Sequence, residues 1–504
     1  MAFYHAILKY FITRRLDHLR TVLADPVGAQ DRILRQLIDD HAASAFGRHH
    51  GLTPGMDVDA FRRAVPLHDY TALKPWIDRL IAGEPHVLTT EEVRWFAKSS
   101  GTTSARSKYI PVTRSALDDC HFAGGKDLMA LYLDRFPDSR LVDGKSLVLG
   151  GSQQPESVAG RFYVGDLSAV LIENLPFWAQ MVRTPDRRTA LIPDWEQKLE
   201  EMVRKTVDEN VTSLAGVPSW NLLFVQRLLE YTGAHTVREV WPNLELFIHG
   251  GVSMDGYREP FRDLIGSPDM RFLETYNASE GFFGMQDDID RPDMLLMPDY
   301  GIFFEFIEDG HWSDADPPTC TLADVQTDVA YELVITTNAG LWRYRIGDTV
   351  RFTDLHPHRF VLTGRTSYHI NICGEEVVED NVNAALKQAC AATGAVLGEY
   401  TGAPRRPTGA APGVHEYIIE FGSPPGDLDR FARIFDQALR DANSDYDAKR
   451  SADLLLDRPV IHVAPENTFY AWMKQRGKLG GQNKVPRLSN HRRHLDDLFD
   501  LMRS

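Results

Sequence analysis

The densest chemistry in this sequence lies in Lys98-Ser99-Ser100-Gly101-Thr102-Thr103-Ser104-Ala105-Arg106-Ser107-Lys108, directly after the apolar stretch Val93-Arg-Trp-Phe96. A Ser/Thr/Gly loop that leaves a strand and ends on a cation offers hydroxyls and free backbone N–H groups to a polyphosphate, with Lys108 as the counter-charge. It is not a Walker loop. The Gly144-Lys145-Ser146 triplet has Ser139 where the first glycine of that motif must stand, so Lys145 is expected to be an ordinary surface group. Taken alone, the Ser99 loop fits a polar surface turn as well as a phosphate cradle.

Two further segments supply what a phosphate cradle needs beside it. Tyr276-Asn277-Ala278-Ser279-Glu280-Gly281 follows the apparent strand Arg271-Phe-Leu-Glu-Thr275 and groups an aromatic face, a hydroxyl and a carboxylate. A nucleotide site uses those as a stacking surface for the base, a donor to the α-phosphate and an anionic oxygen for Mg²⁺. Leu341-Trp342-Arg343-Tyr344-Arg345-Ile346-Gly347-Asp348 ends a β segment on a carboxylate, which can accept from both ribose hydroxyls. A nucleotide with Mg²⁺ is therefore the expected ligand.

The elements that must position these groups follow from the pattern of apolar residues. With 504 residues, 43% of them hydrophobic, the chain can bury one large core and a smaller one. Residues 1 to about 90 show helical periodicity, as in Arg32 to Ile38 and Ala60 to Val65. From Val87 onward, Ser146 to Gly151, Thr212 to Gly216 and Leu244 to Gly251 are predicted buried strands, with Trp220 to Glu230 as a helix between two of them. Between Met294 and Val361 closely spaced β segments, including Gly301 to Ile307, Tyr331 to Thr337 and Thr349 to Phe352, form a β-rich extension. Beyond Gly364 the order is strand, helix (Val378 to Ala391), strand (His415 to Phe421) and helix (Leu428 to Arg440). The fold class is thus α/β: a large N-terminal domain of β-sheets with flanking helices, residues 1–364, and a small C-terminal α+β domain, residues 365–504. Residues 402–413, rich in Gly, Pro and Arg, are expected to form an exposed loop.

Composition excludes several roles. A formal charge of −16 opposes binding to polyanions, so no nucleic-acid partner is expected. The four cysteines, Cys120, Cys320, Cys373 and Cys390, lie far apart with no C-x-x-C spacing, which fits a reducing compartment. In the apolar N-terminus, Lys9, Arg14 and Arg15 interrupt the run and no small-residue cleavage site follows, so an amphipathic docking helix is expected there. No other stretch approaches the roughly 18 apolar residues of a membrane span. The expectation is a cytoplasmic protein, monomeric, with no membrane partner.

Five dispersed motifs, Phe61 to Tyr70, Ser99-Ser-Gly-Thr-Thr-Ser104, Tyr276-x-x-Ser279-Glu280, Leu341 to Asp348 and Gly481-Gln-Asn-Lys-Val-Pro-Arg487, together resemble the Gretchen Hagen family of auxin-responsive acyl-acid amido synthetases. That family lies within the superfamily of acyl-CoA synthetases, adenylation domains and luciferases. The resemblance runs from about residue 40 to about 490. It implies that Ser99, Ser100, Gly101, Thr102 and Thr103 hold the ATP phosphates with Lys108 near them, that Tyr276 faces adenine, Ser279 the α-phosphate and Asp348 the ribose, and that Glu280 is the metal ligand. Gly364-Arg365 to Val377 resembles the superfamily's hinge, placing Arg365 near the ribose and making Ser367 or Tyr368 the pivot. Lys484 matches the mobile catalytic lysine, with Lys474 and Lys478 as competitors; from the residues alone the segment is a solvated basic tail.

The function this implies is ATP-dependent adenylation of a small carboxylic acid followed by transfer of the acyl group to an amine, expected to be an amino acid. The acid's pocket is expected near Leu128, Phe162-Tyr163, Gly216, Val217, Trp220, Ile248, Gly250 and Gly251, with Trp220 pointing to an aromatic or apolar acid. The rivals are an acyl- or aryl-CoA ligase and an inactive nucleotide-binding homologue. Gly251 to Gly256 is not a nucleophile elbow, because Asp255 replaces its second glycine. His491 and His494 fit a solvated helix face, His356-Pro-His358 a turn, and Asp287-Asp288-Ile-Asp290 a solvated loop.

Overall fold

The computed structural model describes the chain from Thr13 to Arg503 apart from residues 100–107, 151–154, 159–160, 252–253, 255–256, 313, 315, 367–368, 371, 373–374, 376, 406–412, 451–455 and 481–482. Ser100, Gly101, Thr102, Thr103, Ser253 and the two candidate pivots Ser367 and Tyr368 lie outside the described residues.

The periodic N-terminal segment is helical, in Leu16–Ala24, Pro26–His41, Ala45–His49, Val58–Ala64 and Tyr70–Ile81. Carboxylates start several of these helices: Asp25, Asp57 and Asp69 each accept the orphan N–H three residues on.

The centre of the molecule is one sheet, twelve-stranded among the described residues. In one half, Arg271–Ala278, Leu246–His249, Val211–Gly216, Lys145–Leu149 and the edge strand Arg183–Thr184 run parallel, in that spatial order. The other half continues antiparallel from Arg271–Ala278 through Gly281–Met285, Met294–Leu296, His358–Arg365, Tyr344–Leu355, Ala330–Thr337, Ile302–Glu308 and Cys320–Thr321. The predicted α/β portion and its β-rich extension therefore share a single sheet, and Arg271–Ala278 is the seam. That strand runs three residues beyond the segment expected from its apolar pattern, carrying Tyr276 to Ala278 within it and leaving Ser279 and Glu280 to turn the hairpin.

Helices Trp195–Thr206, Pro218–Thr232 and Arg258–Ile265 cover one face of the parallel half, where Met202, Phe224, Phe247 and Phe261 are fully buried. The other face meets Phe122–Arg135 and joins the larger core. A smaller sheet pairs Lys108–Val112, Trp95–Ser99, Phe162–Gly165 and Glu156–Val158.

Beyond Arg365 the three strands Val396–Arg405, Val414–Ser423 and Val460–Ala464 pack with helices Glu379–Thr393 and Leu428–Ala442 around Leu386, Tyr417 and Phe435. The loop expected over residues 402–413 is corrected at its start. Gly402 and Ala403 are buried in the strand Val396–Arg405, because Gly402 N–H and Thr401 hydroxyl bond the carbonyls of Arg487 and Pro486. His494 is likewise buried, not solvated, between Trp472 and Arg476, and His491 precedes the helix Arg493–Arg503.

Candidate active site

A cleft of about 2140 Å³ opens at the carboxyl ends of the parallel strands and is closed on its other side by residues beyond Arg365. That is where open α/β sheets take ligands. Lys108, Val217, Ile248, Gly250, Gly251, Tyr276, Ser279, Glu280, Asp348, Arg365 and Lys484 all line it. Of the expected pocket residues, Trp220, Phe162 and Tyr163 do not. Trp220 stands behind the wall, stacked edge-on against Trp195 at 5.0 Å, and its indole N–H donates to the Asn483 carbonyl at 3.2 Å. Phe162 is buried against Phe96, while its neighbour Val164 reaches the cleft.

Asp348 and Arg365 are register partners on adjacent antiparallel strands, so the pleat puts both side chains on one face, and Arg365 Nε lies 2.5 Å from Asp348 Oδ1. The Tyr276 hydroxyl donates to the other carboxylate oxygen. Tyr276 is buried beside Phe283 at 4.7 Å, and burial next to Asp348 pushes its pKa well up, so it remains a donor.

Glu280 hangs from the hairpin turn. Burial raises its pKa, while the cations Lys108 and Arg365 pull it back. Its carboxylate has no side-chain hydrogen-bond partner among the described residues. No cluster of three or more His, Cys, Asp or Glu side chains able to enclose a metal occurs among them either. A lone carboxylate facing a cleft fits Mg²⁺, which is commonly held by one or two carboxylates and the substrate's phosphates.

Lys108 lies between the Tyr70 and Tyr344 rings, 5.7 Å from each centroid, and donates to the Tyr344 hydroxyl at 3.1 Å. Burial lowers its pKa and Glu280 opposes that shift. The segment Phe61 to Tyr70 explains how the lysine is held. Arg343 donates to the Arg62 and Val65 carbonyls, Arg62 and Arg343 both pair with buried Glu305, and His68 bonds the Trp342 carbonyl. Much of Leu341 to Asp348 is thus scaffold: Arg345 pairs with Glu332, Trp342 donates to the Leu88 carbonyl, and the motif reaches the cleft at Ile346 and Asp348.

Lys484 enters from the C-terminal part of the chain and packs on Gly251. A Cβ on Gly251 would stand 2.8 Å from the lysine Cε and 2.9 Å from Nζ, and the glycine's φ of +89° is one that other residues rarely adopt. Desolvation within the cleft lowers the Lys484 pKa; Asp348 and Glu379 favour its charge, whereas Arg365 and Arg487 oppose it. Lys474 pairs with Glu196 at 2.6 Å outside the cleft, and Lys478 also lines the cleft.

Sequence reasoning missed Arg487, Glu379, His121 and His249. Arg487 donates to Glu399 at 2.5 Å and covers the Tyr400 ring at 4.7 Å, while Tyr257 donates to the same Glu399 from the large sheet's side. His121 bonds Asn277 at 2.9 Å, and burial lowers its pKa to about 4, keeping the ring neutral. His249 lines the cleft with both ring nitrogens unpartnered among the described residues. A cation three residues after Lys484 was the one available signal, for Arg487; His249 and Glu379 stand in the predicted strand Leu244 to Gly251 and helix Val378 to Ala391, where nothing marks them as site residues.

The fold is that of the adenylate-forming ligases. The structure of GH3.15 acyl acid amido synthetase superposes with a TM-score of 0.81 at 20% identity, covering 96% of this chain and 95% of that one. A 2-hydroxyisobutyryl-CoA ligase in the postadenylation state gives 0.60 at 14% identity, covering 95% and 94%.

Within that class the chain belongs to the GH3 family, the Gretchen Hagen family of the motif resemblance. The GH3 family N-terminal, central and C-terminal domains match residues 15–270, 295–365 and 380–493. Its relatives include indole-3-acetic acid-amido synthetase GH3.8 of Oryza sativa subsp. indica, 25% identical over 91% of this chain and 87% of that protein. Jasmonoyl--L-amino acid synthetase JAR4 of Nicotiana attenuata is 23% identical over 68% of this chain and 69% of its own length.

Proposed function

We propose that this protein activates a small carboxylic acid as its acyl-AMP and transfers the acyl group to the amine of an amino acid. The observation that carries this reading is the Lys484 ammonium seated over Gly251, in one cleft with Asp348, Arg365, Tyr276, Glu280 and Lys108. A carboxylate resists an amine until one of its oxygens becomes a good leaving group, and adenylation does that. In the first step the acid's oxygen attacks the α-phosphorus of ATP and pyrophosphate departs. In the second the amine attacks the acyl carbonyl and AMP departs.

Asp348, held by Arg365 and Tyr276, would accept from the ribose hydroxyls. Ser279 would donate to the α-phosphate, and Ser99 to Thr103 with Lys108 would hold the outer phosphates. Glu280 would hold Mg²⁺, whose charge neutralises the phosphates. Lys484 would stabilise the charge that builds between carboxylate and α-phosphate, a fixed cation placed where that charge develops. Val217, Ile248, Gly250 and Gly251 would border the acid, with Trp220 holding the lysine's loop. We place the domain boundary at residues 364–365, with residues 365–504 turning as a unit between the two steps. The amine is favoured as acceptor by the amido synthetases among the relatives. No helix among the described residues is long and apolar enough to cross a membrane, and a monomer in the cytoplasm completes the reading.

The test is acid-dependent exchange of labelled pyrophosphate into ATP over a broad panel of acids. Exchange supports the proposal. Its absence throughout, with folded protein that binds ATP, removes it.

A further inference from the structure

At the edge-strand end of the cleft stands a cation that makes no ion pair with any described residue. Arg183, on Arg183–Thr184, is the register partner of Ser146, and Ser146 is the partner of Ser213 on the next strand. Register partners share a face of the sheet, so one guanidinium and two hydroxyls stand in a row. Arg183 and Ser146 line the cleft, opposite Leu171, Leu175 and Ala179. The neighbouring row toward the strand ends is apolar: Val148, Ala215 and Ile248, again in register.

Arg183 Nε and Nη2 are buried and have no hydrogen-bond partner among the described residues, and the same holds for Ser213 Oγ. The carboxylate that acts on Arg183, Asp186, is committed elsewhere, accepting from the Thr189 N–H and hydroxyl and from Lys205. Lys198 adds like charge nearby, with its ammonium held by the Gly150 carbonyl. Burial lowers the Arg183 pKa only to about 10, so the guanidinium stays charged at neutral pH. A buried charge is normally paired, and a guanidinium's fork matches a carboxylate with two parallel bonds.

The nucleotide is not the missing partner. Arg183's strand lies four steps across the parallel half of the sheet from the strand that carries Tyr276, roughly 19 Å at ordinary strand spacing. It lies three steps, roughly 14 Å, from the strand that leads into Gly251, where Lys484 sits. An acid running from Lys484 along the apolar row would end near Arg183.

We propose that the acid substrate is a dicarboxylic acid: one carboxylate is activated beside Lys484, the apolar body lies on Val148, Ala215 and Ile248, and the second carboxylate is received by Arg183 and Ser146. This rests on the acid-activating reading above. A site with buried donors discriminates strongly against an analogue that leaves them unpaired.

The test compares matched acids differing at one end in pyrophosphate exchange: straight-chain dicarboxylates of four to ten carbons against their monocarboxylate counterparts, and terephthalate against 4-methylbenzoate. The expected result is that the best dicarboxylate exceeds its partner at least tenfold in kcat/KM. Arg183→Met abolishes that preference mainly through KM, and Arg183→Lys restores part of it. Should Arg183→Met fail to fold by circular dichroism, Ser146→Ala and Arg183→Lys are compared instead, each expected to narrow the preference. Exchange with monocarboxylates alone, or a preference unchanged in the folded variants, overturns the second-carboxylate site and leaves acid activation standing. Exchange with no acid removes both.

Discussion

The Lys484 ammonium and Gly251 occupy adjoining space: a methyl group on the glycine would fall 2.9 Å from the lysine's Nζ. The glycine holds a turn at φ +89° just past the strand Leu246–His249, and its missing side chain is what admits the lysine to the cleft.

Gly251→Ala is therefore expected to displace the lysine. Adenylation should fall by about 10²-fold, the scale at which a misplaced catalytic group costs rate. The left-handed backbone adds only about 1–2 kcal/mol of destabilisation. Exchange kinetics and thermal melting read the two effects separately, and wild-type exchange in a folded variant contradicts the arrangement.

The lysine's desolvation in the cleft also sets an alkaline limit. Its pKa is lowered from 10.5, so the free enzyme loses the ammonium at a pH below that of an exposed lysine. Adenylation kcat/KM should decline on an alkaline limb lying below 10.5, and Lys484→Arg should remove that limb. The stability effect has the opposite sense. Between the lowered folded value and 10.5 the unfolded chain binds the additional proton, so this group's contribution to stability rises with pH across that window. Urea unfolding of wild type and Lys484→Met as a function of pH checks it.

Trp220→Phe keeps an aromatic ring against Trp195 but removes the donor to the Asn483 carbonyl. A net loss of about 1 kcal/mol in stability is expected. Adenylation should fall roughly three- to tenfold as the lysine's segment loosens. A variant that changes the preferred acid with no loss of exchange would show instead that this ring contacts the acid.

Asp348→Asn retains the shape of the carboxylate and takes its charge from between Arg365 and the Tyr276 hydroxyl. Hydrogen bonds to charged groups contribute about 1.5–3 kcal/mol, so the KM for ATP should rise roughly ten- to hundredfold. The KM for the acid should hardly move. An unchanged KM for ATP, with unchanged affinity in a nucleotide titration, contradicts a ribose role.

Much of the architecture was legible, because short apolar runs such as Leu246–His249 and Ala330–Thr337 carry their own strand signal. Their union in one sheet was not, since apolar period says which face is buried and nothing about which strand pairs with which. The site was legible where its chemistry is local, as in Tyr276 to Glu280. In Leu341 to Asp348 it was legible at Asp348 alone, since Arg343 and Arg345 serve Glu305 and Glu332, partners known only once the strands are laid side by side. Trp220 misled for the same reason: a tryptophan at a pocket's edge reads as a wall, and its bond to Asn483 spans 263 residues of sequence. Arg183 and Ser146 had no signal at all, being ordinary residues until the register makes them neighbours.

The most direct test of the account is to give the enzyme ATP, Mg²⁺ and an acid that supports exchange, offer the twenty amino acids and coenzyme A in parallel, and identify the products by mass. The account predicts an N-acyl amino acid with AMP released in equal amount and no thioester. A thioester as the sole product would contradict it.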